Sequence, residues 1–246
     1  MTWIYLSPHF DDVALSCGGL LWEQVQAGEL VSIWTVCAGD PPIEKLSPFA
    51  QELHDRWKAD QNAPYERRRE DIKSCQRLGV GYRYFSIPDC IYRRLPGRGE
   101  FMYAQETALN GPLHPGDASL AQELVSDLRR SLPMGATLVS PLALGSHVDH
   151  QLTRLAAEEL RGECWYYADF PYVLRDDTQL QQMQRDGWES CIFLVSPAGL
   201  VAWQDAISAH ASQISTFWES EVAMRQAITD YQHKDNGIRL WRKPAH

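Results

Sequence analysis

The chain has no run of roughly 18 apolar residues, the length a helix needs to cross a bilayer, so no membrane span is expected. It also has no basic tract. Its 23 lysines and arginines against 32 aspartates and glutamates leave a net charge of −9, which argues against nucleic acid as a partner. The six cysteines, at 17, 37, 75, 90, 164 and 191, form no Cys-x-x-Cys pair and no disulfide-style framework, so free thiols are the economical expectation. Met1-Thr2-Trp3-Ile4 enters an apolar run without the charged and apolar regions of a secretory leader, and a cytoplasmic location is the expectation. Gly18-Gly19 lacks the Gly-x-Gly-x-x-Gly spacing of a dinucleotide loop, and no internal repeat or low-complexity stretch is present. What remains is the composition of a soluble enzyme of 246 residues, long enough for a substantial core in one domain over 1–246.

Against this background two short segments stand out, Ser7-Pro8-His9-Phe10-Asp11-Asp12 and His147-Val148-Asp149-His150. Each follows a run that reads as a buried strand: Trp3 to Leu6 before the first, Thr137 to Ser140 before the second. A helix is expected after each, over 20–25 and 149–161. Strands are also expected over 30–37, 82–86, 165–167 and 191–195, and helices over 65–78, 119–131, 201–210 and 219–231. This alternation predicts an α/β fold, Rossmann-like, with a mostly parallel sheet and helices on both faces. Both polar segments then lie at the carboxyl ends of strands, where open α/β sheets build their sites.

The residue types fit a catalytic metal centre, which takes about three protein ligands and keeps one position for water. His9, Asp12 and His150 can supply imidazole, carboxylate and imidazole. Asp11, beside them but pointing elsewhere, can take a proton from the activated water. His147, three residues before His150, shares its face if the backbone is helical there, close to the metal without having to bind it. A cationic imidazole at that place would stabilise an oxyanion. Zn(II) suits this donor set, as do Fe(II) and Co(II).

The two segments resemble the signature of the LmbE-like, or PIG-L, family of zinc-dependent de-N-acetylases. That family usually opens on Pro-His-Pro-Asp-Asp with Gly-Gly soon after, and this chain reads Pro8-His9-Phe10-Asp11-Asp12 and Gly18-Gly19. Weaker likenesses follow at Thr35 to Asp40, at Arg67-x-x-Glu70 with Leu78-Gly79, at Pro88-Asp89, and at His210-x-Ser212-Gln213. The resemblance implies zinc on His9, Asp12 and His150, Asp11 as general base and then acid, His147 at the oxyanion, and Asp149 orienting a histidine. It also implies sugar contacts from Arg67 and Asp89, and a small N-acetylated amino sugar such as an N-acetylglucosamine conjugate as substrate.

Three function classes stay open on the residues themselves: an amidohydrolase, a phosphohydrolase commonly needing a second metal, and a sugar-binding module without turnover, against which an intact Asp11 argues. Assembly into a homo-oligomer is also left open. The connections 40–64 and 88–115 exceed ordinary loop lengths and leave strand ends near the proposed metal, so they are expected to wall the pocket. Arg67 is expected to point inward, with Arg68 and Arg69 on a solvated helix face, and His54-Asp55 on the surface.

Overall fold

A computed structural model describes residues 1–41, 45–57, 63–95, 97–160, 164–175 and 177–244. Seven strands form one sheet: β1 (Thr2–Ser7), β2 (Leu30–Thr35), β3 (Gly81–Tyr84), β4 (Thr137–Pro141), β5 (Trp165–Tyr167), β6 (Glu189–Leu194) and β7 (Gly237–Arg242). Their order is β3-β2-β1-β4-β5-β7-β6. The first five run parallel, and β7 enters antiparallel between β5 and β6. The described helices are α1 (Asp12–Gln26), α2 (Pro48–Arg56), α3 (Ala63–Leu78), α4 (Glu106–Leu109), α5 (Ala118–Ser131), α6 (Val148–Leu160), α7 (Thr178–Arg185), α8 (Pro197–Ser208), α9 (Ala211–Phe217) and α10 (Glu221–Asp235).

The period of two along β1 divides the interior. Trp3 and Tyr5 face one core, shared with α1, α3, α8 and α10, while Ile4 and Leu6 face the other, shared with α5, α6 and α7. A strand covered on both faces reads as a continuous apolar run, as this one does. A third cluster, with Phe49, Leu53, Ile91, Tyr103 and Val148, folds the two long connections over the start of α6.

Helix α1 begins at Asp12, well before the expected Leu20. The residues Ser16 to Gly19 are helical, and the two glycines are small because α8 and the residue before its cap press on them: a methyl group on Gly18 would collide with the Trp203 indole, and one on Gly19 would lie 2.8 Å from Val195. Helix α2 is masked in the sequence by its proline. Pro48 occupies the first turn and Ser47 caps it, accepting from the Ala50 N–H at 2.9 Å, so the proline starts a helix rather than breaking one. One expectation is corrected there: His54 is fully buried, 2.6 Å from the Tyr92 hydroxyl, because it lies on the inner face of α2. None of the six cysteines is disulfide-bonded, and among the described residues no helix is long and apolar enough to cross a membrane.

Candidate metal centre

The chain leaves β1 toward β2 on one side, and β4 toward β5 on the other, so the direction of winding reverses between β1 and β4. A crevice opens at the carboxyl ends of these two strands, and both polar segments border it. Ser7 shapes the first turn: its hydroxyl donates to the His9 carbonyl and accepts from the Val13 N–H. Asp11 is the residue before α1 and Asp12 its first, while His150 lies in the first turn of α6.

The two imidazoles bracket one carboxylate. His9 Nδ1 lies 3.1 Å from Asp12 Oδ2, and His150 Nε2 lies 3.3 Å from Asp12 Oδ1. Behind each ring stands a second buried carboxylate: Asp149 Oδ2 is 3.0 Å from His9 Nε2, and Asp169 Oδ1 is 2.6 Å from His150 Nδ1. A ring that donates its outer N–H to a carboxylate presents a lone pair on its inner nitrogen, the arrangement seen behind metal-binding histidines. The donor types suit a divalent cation: ligand atoms of His9, His147 and His150 all lie within 4.8 Å of one another, with Asp12 against two of these rings. Burial alone lowers the His150 pKa, but Asp12 and Asp169 outweigh it and push it up to about 10, and His9 is raised well above its ordinary value in the same way. Asp12, which burial would raise, is held well below the usual carboxylate range by the two histidines.

His147 completes a triangle of rings, with centroids 5.0 Å from His9 and 5.3 Å from His150. Burial first, and then charge on His9, pushes its pKa down to about 3. This direction favours the neutral imidazole, whereas a cationic one was expected. The Asp149 N–H donates to its Nδ1 at 3.3 Å, which leaves the proton on Nε2 as a donor.

Asp11 turns away from the histidines. Its Oδ1 accepts from Arg67 at 3.2 Å, and the guanidinium lies between the rings of Phe10 and Trp57, 5.8 and 4.9 Å from their centroids. Phe10 thus packs on the arginine that grips the neighbouring carboxylate. Arg67 points inward as expected, whereas Arg69 is exposed and pairs with Glu66. Arg68 is only partly exposed and reaches the Ala38 carbonyl and Asp40. Asp89 Oδ2 lies 3.8 Å from His9 Nε2 and 3.9 Å from Arg67.

A cleft of about 250 Å³ opens over these groups. Asp11, Asp12, His9, His147, Arg67 and Asp89 form its floor, with Leu53, Arg56 and Trp57 from the first long connection and Ile91, Glu106, Leu109 and Asn110 from the second in its walls. Both connections line the pocket, as their lengths suggested. The closing wall was not foreseen: Gln213, Thr216 and Phe217 of α9, with Tyr172 and Arg175 after β5. Sequence reasoning also missed Asp169 and Arg93. Asp169 was findable, since it is an acid just past the carboxyl end of a strand, the rule that found the other two segments.

Residues 4–160 match the family model described as PIG-L, GlcNAc-PI de-N-acetylase. The chain is 31% identical over 202 residues to a 2'-N-acetylparomamine deacetylase of Niallia circulans, spanning 75% of this chain and 71% of that one. To a protein of the same name from Streptomyces fradiae it is 30% identical over 193 residues, spanning 74% and 62%. Among solved structures, the zinc-inhibited form of teicoplanin deacetylase Orf2 aligns with a TM-score of 0.81 at 27% identity, over 98% of this chain and 97% of that one.

Proposed function

Because this chain belongs to the PIG-L family of de-N-acetylases, we propose that it removes the acetyl group from the nitrogen of an N-acetylated amino sugar or its conjugate, using a divalent ion, zinc by preference. His9, Asp12 and His150 hold the ion. One observation carries this reading: two imidazoles converge on Asp12 while the adjacent Asp11 is kept apart from them on Arg67. Two neighbouring carboxylates in different surroundings take different tasks.

A bound zinc ion supplies an acidified water and polarises the acetamide carbonyl. Asp11 removes the water proton, its Oδ1 anchored by Arg67 and its Oδ2 left to receive it. As water's oxygen bonds to the acyl carbon, the His147 Nε2–H donates to the acyl oxygen. Asp11 then returns the proton to the nitrogen, the carbon–nitrogen bond breaks, and amine and acetate leave. Asp149 orients His9, and Asp89 with the second arm of Arg67 holds sugar hydroxyls, which suits charged groups forming directional hydrogen bonds. The relatives' names point to 2'-N-acetylparomamine and teicoplanin-type glycosides as starting substrates.

The test couples metal analysis of the purified chain to acetate release from N-acetylglucosamine conjugates and 2'-N-acetylparomamine. One zinc per chain with acetate release is the expected result. Phosphate release from simple phosphoesters without acetate release would transfer the site to a phosphohydrolase, and sugar binding without turnover would make it a binding module.

A further inference from the structure

The buried charges behind the centre do not stop at Asp149. Its Oδ2 accepts from the His9 ring and from the Cys90 backbone N–H, each at 3.0 Å, and its Oδ1 takes Arg93 at 2.5 Å. The same arginine nitrogen is 3.3 Å from Asp117 Oδ2, which accepts from the Tyr103 hydroxyl at 2.7 Å. Tyr103 in turn accepts from the His114 N–H at 2.8 Å, and its ring lies beneath the guanidinium at 5.2 Å. Arg93 is 3% exposed, and Asp117 and Asp149 are fully buried. One chain of polar contacts therefore runs from the connection 88–115 and the start of α5, through the first turn of α6, to the turn after β1.

We propose that Arg93 is a positioning residue for the metal: it fixes the Asp149 carboxylate so that Asp149 in turn fixes the His9 ring. The proposal rests on His9 being a metal ligand. Arg93 does not line the cleft, so contact with substrate is not its task. Its other contacts, the Asp117 carboxylate and the face of Tyr103, stay within the same buried cluster. What Arg93 does do is hold one oxygen of a carboxylate whose other oxygen meets a ligand histidine. A carboxylate pinned at one oxygen cannot rotate the other away, so the imidazole behind it keeps its plane and its inner lone pair stays aimed at the ion. The connection 88–115 thereby has a second task besides walling the cleft.

Zinc affinity of the full chain, read by competition with a chromogenic chelator, tests this without recourse to turnover. Arg93→Met is expected to weaken zinc binding by about 10- to 100-fold, the scale for removing a partner behind a metal ligand. In an Asp149→Asn background the same change should cost less than about 2-fold, since the route through Asp149 is already cut. Zinc affinity unchanged in Arg93→Met, or an undiminished loss in the Asp149→Asn background, would overturn the proposal. Should Arg93→Met fail to fold by circular dichroism, Arg93→Lys, which keeps the charge and loses the planar fork, is read instead: weaker zinc binding supports the proposal and wild-type affinity overturns it. A wild-type chain that binds no zinc sinks the metal reading itself, whereas wild-type binding with unaffected Arg93 variants sinks only the positioning role.

Discussion

The two corners of the cleft use the same device with different backing. In each a histidine faces Asp12 and leans on a buried aspartate, but Asp149, behind His9, has a guanidinium at its other oxygen, while Asp169, behind His150, has among the described residues the Leu144 N–H there. Burial alone would raise both carboxyls. Arg93 leads the groups that bring Asp149 well below the usual range, whereas Asp169 stays raised, with His150 its main opposing influence. The consecutive Asp11 and Asp12 differ in the same manner, one held by an arginine and the other by two histidines. Neighbours across the fold, not position along the chain, assign each carboxylate its task.

The sharpest way to break this division is to remove a residue from each side of it. His150→Ala should lose bound zinc and turnover together. Asp11→Asn should keep the zinc and lower kcat by about 10²- to 10⁴-fold, the range for a lost general base; a zinc-free Asp11→Asn protein would erase the distinction between the adjacent aspartates. His147→Ala comes next, with metal content unchanged and kcat down by about 10²- to 10³-fold, the scale for one oxyanion donor. If zinc content fell instead, His147 would join the ligands. Weaker still, Asp169→Asn should reduce zinc affinity by about 10- to 100-fold, measured by chelator competition, and affinity equal to wild type would mean that the second corner needs no backing.

The smallest effect concerns stability. Asp71, in α3, accepts from the Tyr84 hydroxyl at 2.7 Å, and burial pushes its carboxyl up to about 7. The folded chain thus holds a proton that the unfolded chain releases near pH ~4. The contribution of this group to stability is therefore present below about pH 4 and lost as pH rises through about 7. Asp71→Asn removes that loss, so its Tm relative to wild type should climb between about pH 5 and about pH 8. A constant difference across that range would show that Asp71 ionises freely in the folded state.

The two polar segments of the candidate site were legible because their chemistry and their placement agree: polar residues of ligand type at the ends of apolar strands. The parallel sheet was legible from alternation alone. Helix α1 was obscured because Gly18 and Gly19 interrupt its apolar pattern for the sake of contact with α8, and no local signal reports a partner so far along the chain. Helix α2 was obscured by Pro48, which acts as a starter. Strand β7 has the required alternation, but nothing local says that it inserts antiparallel between β5 and β6. Arg93 is one of three arginines in the connection 88–115, beside Arg94 and near Arg98, and only the fold brings it to Asp149.

Trp203, wedged against Gly18, donates its indole N–H to the Ala14 carbonyl at 2.8 Å across 189 residues of sequence. The consequence is one of timing. A chain emerging from the ribosome presents His9 and Asp12 long before it presents the tryptophan that seats the helix carrying Asp12, with His150 and the Asp169 against it in between. Contacts of such separation form late, after loop closure has been met by enough native structure. The residues proposed as ligands are thus seated by contacts that reach across most of the chain, and metal loading is expected to need the folded chain rather than its first segments.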